Sequence, residues 1–484
     1  MTFGFRSNFP EGKCEVRFRL VHAGALPSVC VCVCVCVCVY TMMASVLWIH
    51  KSCARCTQGI LYSFPLFAHR YVRLFFLRLP LSLTSHTGVD DEVFLAFAIP
   101  WSVSENAASL TRAQRRFSRA NQPFVFTREK LCSSLEGRPV EVLTITSGDG
   151  DQTSRPVFVV TSRVHPGETP ASHMCNGIID FLLRVRDERA HAARSAFVFK
   201  IVSLLNPDGV ANGHYRCDTR GVNLNRCYEE PDPSLHPTVH AVKSLIVSNA
   251  PTFVIDLHAH ANKKGCFAFG NAIPNTERRA ESICFAKLAA MNCAYFDFSA
   301  CNFSERNMVS KDKGGSTTKE GSARVALYRE TGMTHIYTVE ANYNSGRVQS
   351  GNFTIEADVL ATCSLRSTSN ENGGVGGTAT DEGRCGAATA SSSSFSGHAS
   401  SAEYDESSFA CMGRCLILAA LDLIDANPLS TMRRWSLKSL SALRCWAQQH
   451  VRKIDMMSGS SGAPGFSFGK PPPLPDRCKG AVPC

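Results

Sequence analysis

Three side chains that can bind a metal ion are the most informative residues of the chain. His165 and Glu168 lie three residues apart, in a turn that directly follows the apolar residues 157–161. A second histidine, His258, ends the strand-like residues 253–258. A catalytic zinc ion takes three protein ligands of this kind and leaves a fourth position open for water. The sequence therefore predicts a hydrolytic site with one zinc ion per chain.

One carboxylate and two arginines complete the predicted chemistry. Glu340 ends a short strand-like run, where it could accept a proton from zinc-bound water and pass it to a leaving amine. Arg216, Asn225 and Arg226 follow the turn at residues 206–209. A planar guanidinium pairs well with a terminal carboxylate, and a second one can polarise a scissile carbonyl. Each of these side chains alone would more often be structural, but together with the metal set they predict an exopeptidase.

The elements that must position these residues alternate between strand and helix. Apolar runs bounded by turn residues predict buried strands, and apolar residues at helical spacing predict helices. The prediction is an α/β fold with a mixed, mostly parallel central sheet flanked by helices, and with a disordered insertion and termini. Strands are predicted at residues 138–147, 157–161, 197–205, 253–258 and 336–340, and helices at residues 170–184, 236–249, 275–291, 409–426 and 439–452.

Shifts in composition predict the domain boundaries. Residues 1–92 have no place in the pattern, residues 93–135 lead into the catalytic domain, and residues 136–455 form it. Within that domain, residues 364–408 are rich in Ser, Gly, Thr and Ala and cannot bury enough apolar area to fold. We therefore expect a disordered insertion there and a disordered tail at residues 456–484.

Charge and cysteine content exclude some classes of function. The formal net charge of +10 suits an acidic partner, although a plain basic surface explains it equally well. The sequence contains no long block of lysine and arginine of the kind that would predict nucleic-acid binding. The 23 cysteines are scattered and odd in number, so we expect reduced thiols in the cytosol rather than a disulfide framework.

Four motifs resemble those of the metallocarboxypeptidases of the carboxypeptidase A superfamily, within its cytosolic carboxypeptidase branch. They are residues 163–172, 204–210, 256–260 and 337–346. Further motifs are similar to those of the tubulin deglutamylase of that branch, at residues 213–226, 292–298, 301–308 and 319–324. The resemblance covers about residues 93–362 and 405–453.

The resemblance implies roles for the metal-binding residues. His165, Glu168 and His258 would be the zinc ligands, and His260 would be a neighbour rather than a ligand. Glu340 would be the catalytic acid and base. The family usually has glycine between the two histidines, where this chain has alanine. We expect that methyl-sized change to leave zinc ligation intact.

The resemblance also implies how the substrate would be held. Arg216 would polarise the scissile carbonyl, and Asn225 with Arg226 would hold the α-carboxylate of the substrate. Arg324 would lie at the floor of the side-chain pocket, where a cation selects glutamate.

The resemblance leaves two family features without a place in the sequence. The tyrosine that covers the substrate in related enzymes could be Tyr328 or Tyr337, and spacing does not choose between them. The family also has a β-sandwich-like domain ahead of the catalytic one, which residues 1–92 do not resemble beyond its last strand.

The amino-terminal repeat of valine and cysteine admits two interpretations. With the residues that follow, it makes the 21 uncharged residues 29–49 after the basic Lys13, Arg17 and Arg19, which is formally a signal-anchor pattern. The alternation is also what a dinucleotide repeat in a gene would encode if it were translated. An anchor would place the enzyme across a membrane from tubulin. We therefore expect residues 1–88 to be dispensable or absent in the cell and to form no packed domain.

These observations predict a zinc carboxypeptidase that removes glutamate from the polyglutamate side chains of tubulin, with the branch-point glutamate left open. Its partners would be polyglutamylated tubulin tails or other acidic protein tails, without nucleic acid or membrane. Its location would be the cytoplasm, with microtubule or axoneme association left open. Two alternatives remain: a peptidase of the same mechanism acting on other acidic C termini, and a catalytically impaired microtubule-associated or membrane-anchored protein.

Overall fold

The computed structural model describes residues 98–117, 123–311, 317–348 and 402–456. The predictions for the amino-terminal segment, most of the insertion and the carboxy-terminal tail lie outside the described residues. Ahead of residue 98 only backbone strands are described, at Thr2–Phe9, Gly12–Arg19, Val31–Val35, Ser45–Lys51, Ile60–Phe64, Phe75–Leu79 and Val93–Ala96.

A seven-stranded sheet forms the centre of the fold. Its strands in chain order are β1 (Phe124–Ser133), β2 (Pro139–Ser147), β3 (Val157–Ser162), β4 (Val198–Val202), β5 (Phe253–His260), β6 (Cys266–Phe269) and β7 (His335–Asn342). Their spatial order is β6-β7-β5-β3-β4-β2-β1. The central strands β7, β5, β3 and β4 are parallel, and the outer pairings are antiparallel. The predicted α/β class with a mixed, mostly parallel sheet is confirmed.

Ten helices and a small hairpin surround this sheet within the described residues. The helices are α1 (Val103–Phe117), α2 (Thr169–Leu182), α3 (Glu188–Ala196), α4 (Pro207–Ala211), α5 (Pro237–Asn249), α6 (Thr276–Asn292), α7 (Glu305–Met308), α8 (Ala323–Thr331), α9 (Glu406–Leu423) and α10 (Leu440–Gly459). The hairpin pairs β8 (Ser345–Arg347) with β9 (Ser401–Glu403). Among the described helices, none is both long and apolar enough to cross a membrane.

Helices cover both faces of the sheet. Helices α2, α6, α9 and α10 pack on one face, and α5 and α8 pack on the other. Along β5, Phe253 and Ile255 point to the first group of helices, whereas Val254 points to the second. Because side chains alternate along a strand, Asp256 and His258 lie on the same face as Val254. We call this side, covered by α5 and α8, the site face.

Helices α2 and α9 cross so closely that each presents a glycine to the backbone of the other. A Cβ atom on Gly177 would lie 2.4 Å from the Cα of Ala410, and one on Gly413 would lie 2.0 Å from the carbonyl oxygen of Met174. Side chains do not approach backbone atoms this closely, so the crossing requires glycine on both helices. The contact fixes α9 against α2, whose first turn directly follows Glu168.

Residues 402–408, at the end of the predicted insertion, belong to the described structure. Helix α9 begins at Glu406 rather than at residue 409. Tyr404 is buried, and the side chain of Asp405 accepts the backbone N–H of Ser408 at 2.7 Å. This is a helix N-cap, which the serine-rich composition of the segment concealed.

Candidate active site

An arginine with a left-handed backbone forms the turn between β3 and α2. Arg163 has φ 63, which is uncommon for a residue other than glycine. Its guanidinium is buried and donates to the carbonyl of Pro166 at 2.7 Å, the hydroxyl of Ser172 at 2.8 Å and the carbonyl of Trp101 at 3.1 Å. These bonds hold the turn that carries His165 in one conformation.

The three predicted zinc ligands converge at this turn. Nδ1 of His165 lies 2.7 Å from Oε1 of Glu168. Nδ1 of His258 lies 2.9 Å from Oε2 of Glu168 and 3.2 Å from Nδ1 of His165. All three side chains are buried. No other group of three His, Cys, Asp or Glu side chains among the described residues could hold a metal ion.

The outer nitrogen of each histidine is also bonded. Nε2 of His165 lies 3.0 Å from Oδ1 of Asn223, and Nε2 of His258 lies 2.7 Å from Oδ2 of Asp256. The other oxygen of Asp256 accepts the hydroxyl of Thr161 at 2.7 Å. Oxygen partners at Nε2 place the proton there and leave Nδ1 free to bind a metal. The donor set of two Nδ1 atoms and one carboxylate therefore fits zinc.

Burial and neighbouring charges set the protonation of the ligands. Burial, with the charge of Arg216, lowers the pKa of His165 to about 4. Burial raises the pKa of Glu168, but the two imidazoles outweigh it and hold that pKa well below its ordinary value. Burial also favours neutral His258, yet Asp256 and Glu168 raise the pKa of this imidazole well above the ordinary value. Zinc would therefore displace a proton from His258 when it binds.

Glu340 lies directly beside the metal ligands. It is the register partner of His258 across β5 and β7, so both side chains lie on the site face. Burial raises the pKa of Glu340 to about 7, and Glu168 adds to the shift while His258 opposes it. A carboxylate with a pKa near neutrality suits general acid and base catalysis.

The structure places the other predicted polar residues around this centre. Arg216 is 41% exposed, and its Nη1 lies 3.7 Å from Oε1 of Glu168. Asn225 is buried, with Nδ2 3.3 Å from Nε2 of His258 and Oδ1 accepting the N–H of Ala323 at 2.9 Å. Asn225 thus joins its loop to the start of α8. The roles given to Asn225 and Arg226 in holding an α-carboxylate remain predictions.

Arg324 occupies a closed position at the end of β6. Its side chain is only 2% exposed. Its guanidinium donates to the carbonyl of Gly270, to Oδ1 of Asn271 at 2.7 Å and to Oδ1 of Asn307 at 2.9 Å. Burial lowers the pKa of Arg324 to about 10, and the charge of Glu340 opposes that shift. Within the part of the chain that the structure describes, no carboxylate lies within 4 Å of this guanidinium.

The two tyrosines considered for covering the substrate lie on opposite faces of the sheet. Tyr337 is fully buried on the face opposite the site, where its hydroxyl donates to the carbonyl of Ser282 at 3.1 Å. Tyr328 packs from α8 against the core beneath α5. Strand alternation turns Tyr337 away from Glu340, so Tyr337 does not cover the substrate, and the role of Tyr328 stays a prediction.

Two other tyrosines lie at the site. Burial raises the pKa of Tyr215 to about 12, the neighbouring Tyr343 opposes this shift, and the charge of Glu168 adds to it. A Cβ atom on Gly167 would lie 2.6 Å from Cδ2 of Tyr215, so the ligand turn and this ring are in close contact. The position of Tyr215 directly before Arg216 is the sequence signal that could have identified it.

Residues 116–345 match the zinc carboxypeptidase family, Peptidase_M14. This part of the chain, which carries the converging ligands and most of the sheet, belongs to that family.

Similar proteins include two cytosolic carboxypeptidases. Cytosolic carboxypeptidase-like protein 5 of Mus musculus is 31% identical over 508 residues, which cover 81% of this chain and 54% of that protein. Cytosolic carboxypeptidase 6 of Homo sapiens is 40% identical over 265 residues, which cover 53% of this chain and 50% of that protein. The chain therefore spans about half the length of these relatives.

Solved structures share the fold. A metallo-carboxypeptidase from Burkholderia cenocepacia superposes with a TM-score of 0.53 at 19% identity, covering 79% of this chain and 80% of that one. A metallo-carboxypeptidase from Pseudomonas aeruginosa superposes with a TM-score of 0.52 at 16% identity, covering 79% of this chain and 81% of that one.

Proposed function

We propose that this chain is a zinc-dependent carboxypeptidase that removes glutamate from polyglutamylated proteins, chiefly tubulin. The observation that carries the glutamate preference is Arg324, a buried cation without a carboxylate partner among the described residues. Burying an unpaired charge is costly unless a partner of opposite charge arrives. The side-chain carboxylate of a substrate glutamate is such a partner, and it would bind as a charge-assisted pair.

The proposed mechanism assigns each step to a residue of the site. Zinc held by His165, Glu168 and His258 would supply Lewis acidity to the attacking water and the scissile carbonyl. Glu340 accepts the proton that the water loses and delivers it to the nitrogen of the leaving glutamate as the C–N bond breaks. Arg216, whose Nη1 lies 3.7 Å from Oε1 of Glu168, would stabilise charge on the carbonyl oxygen.

The proposed partners are polyglutamylated tubulin tails, with the branch-point glutamate as a further substrate. The proposed location is the cytoplasm, in association with microtubules or axonemes. Support comes from the names of the cytosolic relatives and from the net charge of +10, which suits an acidic tail. Two candidates compete: a peptidase for other acidic C termini, and a catalytically impaired microtubule-associated or membrane-anchored protein.

The test compares substrates on the zinc-loaded protein. Mass spectrometry would follow the tail masses of glutamylated tubulin, of unglutamylated tubulin, and of unrelated peptides ending in glutamate or aspartate. We expect stepwise loss of glutamate, fastest from glutamylated tubulin. Equal rates on the unrelated acidic peptides would favour the first competitor, and no release from any substrate would favour the second.

A matched variant separates catalysis from metal binding. Glu340→Gln keeps the shape of the side chain but cannot accept a proton. We expect it to retain zinc and lose at least about a hundredfold in rate, the scale of general acid and base catalysis. A near-normal rate in this variant would assign the base to another residue.

A further inference from the structure

The edge strand β6 places two aromatic rings on the site face. Phe267 is the register partner of Glu340, and Phe269 is the partner of Thr338. Because register partners point to the same side of a sheet, Phe267 lies beside the catalytic carboxylate and Phe269 lies one step further along the same face. These two rings therefore lie on the site face, on the strand next to Glu340.

Two lysines from different loops lie over these rings. Nζ of Lys263, which lies between β5 and β6, is 4.6 Å from the ring centre of Phe267 and 5.7 Å from that of Phe269. Nζ of Lys319, which begins the 3-10 turn before α8, is 5.2 Å from the ring centre of Phe269. A ring face attracts an ammonium group without using its hydrogen-bond donors. Lys263 donates to the carbonyl of Ala300 at 2.8 Å, which leaves donors for another acceptor.

The same edge carries the buried arginine of the proposed side-chain pocket. Gly270, whose carbonyl accepts a bond from Arg324, directly follows Phe269. In the described residues, the end of β6 therefore combines one enclosed guanidinium with two ammonium groups at its rim.

We propose that Lys263 and Lys319 form a second acidic subsite, which binds the carboxylate of an acidic residue adjoining the glutamate that is removed. The inference rests on the proposed function and extends it. Of the two carboxylates of a terminal glutamate, the α-carboxylate is assigned to Asn225 and Arg226 by the sequence prediction, and the side-chain carboxylate to Arg324 by the proposed function. A third carboxylate needs another cation, and these lysines lie over the rings of the register partners of Glu340 and Thr338. The enzyme would then select runs of acidic residues rather than a single terminal glutamate.

The expected strength of this subsite is modest because its cations lie at the rim. Lys263 is exposed and Lys319 is half-buried. Ion pairs in such positions change an equilibrium by about two- to fivefold each, and salt screens them. The preference for an adjoining acidic residue should therefore weaken as ionic strength rises, whereas binding at the enclosed Arg324 should respond less.

The test measures a ratio that cancels effects on catalysis. Two peptides would be compared that differ only in the penultimate residue, ending in Glu-Glu or in Gln-Glu. In the zinc-loaded wild type we expect a higher kcat/KM for the Glu-Glu peptide. Lys263→Gln and Lys319→Gln should each reduce the ratio of the two kcat/KM values by about two- to fivefold. Lys264→Gln is the control, because it removes the same charge from an exposed neighbour.

Each outcome separates the subsite from the proposed function. Release of glutamate from both peptides at equal kcat/KM in the wild type would overturn the subsite alone. So would an unchanged ratio in both lysine variants, or an equal reduction in Lys264→Gln. No release of glutamate from either peptide would overturn the proposed function and the subsite with it. Zinc content and thermal unfolding show whether each variant is folded. If one lysine variant is not folded, the ratio of the two kcat/KM values in the other variant still tests the subsite.

Discussion

Asp256 shows how one side chain outside the ligand set can govern the metal centre. It is 1% exposed and bridges the hydroxyl of Thr161 and Nε2 of His258. The three residues lie on neighbouring strands, since Thr161 is the register partner of Asp256. The carboxylate therefore fixes the tautomer and orientation of His258 from within the sheet.

Zinc affinity should depend on the charge of Asp256. Asp256→Asn keeps the shape of the side chain but removes the charge that pairs with Nε2–H of His258. We expect zinc affinity, measured by chelator competition, to fall by roughly 10- to 100-fold. Thr161→Val, which removes only the hydroxyl bond to Asp256, should cause a smaller loss. Equal zinc affinity in wild type and Asp256→Asn would show that Asp256 does not position the ligand.

The preference for a C-terminal glutamate should depend on Arg324. Arg324→Leu should weaken removal of glutamate relative to an apolar C-terminal residue by about 1.5–3 kcal/mol, the range for hydrogen bonds to charged groups. The measurement is the ratio of kcat/KM for two peptides that differ in the last residue. Arg329→Leu, on the same helix but paired with Glu320, is the control. An unchanged ratio in Arg324→Leu would remove this residue from the pocket.

At the scale of single residues, the sequence predicted site residues that lie close together in the chain and not the contacts between distant ones. His165 and Glu168 share one turn, so their spacing alone indicated a metal site. Asp256 lies two residues before His258 and was overlooked, although strand alternation puts both on one face. The contacts of Arg324 with Gly270 and Asn271 span more than 50 positions, so only the folded chain brings them together.

At the scale of elements, apolar periodicity predicted the buried strands and missed the polar ones. Strand β1 carries three consecutive charged residues at 128–130 and α1 is largely polar, so neither has the apolar pattern of a core element. Strand β6 is only four residues long. Its place beside β7 depends on pairing that the sequence does not reveal, and so the position of its two aromatic rings on the site face could not be predicted.

The crossing of α2 and α9 should not tolerate an added methyl group. Gly413→Ala would place a methyl group 2.0 Å from the carbonyl oxygen of Met174, so the helices must separate. We expect a loss of about 1–3 kcal/mol in the free energy of unfolding, the usual cost of overpacking. Denaturant unfolding would measure it. Ala410→Gly, which removes a methyl group from the same interface, is the comparison. Stability equal to wild type in Gly413→Ala would contradict the close crossing.

The stability of the whole protein in acid should depend on His335. His335 stacks on Phe253 at 4.6 Å and contacts the hydroxyl of Tyr337 at 2.9 Å. Burial, with the charge of Arg278, lowers the pKa of His335 to about 3. Because the pKa is lower in the folded than in the unfolded protein, protonation favours unfolding. The stability due to the neutral ring is complete above pH of about 6.5 and is lost as pH falls toward 3.

Replacing the ring tests this effect. His335→Phe keeps the stacking but cannot take up a proton. Between pH 6 and 4 its free energy of unfolding should fall less steeply than that of wild type, by up to about 1.4 kcal/mol per pH unit. Denaturant unfolding at several pH values gives both curves, and the contributions of other histidines cancel in the difference. Parallel curves would show that His335 is not neutral in the folded protein.

The bond from Arg163 to the carbonyl of Trp101 has a consequence for where the catalytic unit begins. The match to the family starts at residue 116, yet the metal turn depends on an acceptor 15 positions earlier. A chain shortened to residue 116 would leave a buried guanidinium one acceptor short, at a cost of about 1–3 kcal/mol. The turn that carries His165 would then lose its anchor without any change in the ligands themselves. The working boundary of this enzyme therefore lies ahead of Trp101, and zinc retention in a series of shortened chains would locate it.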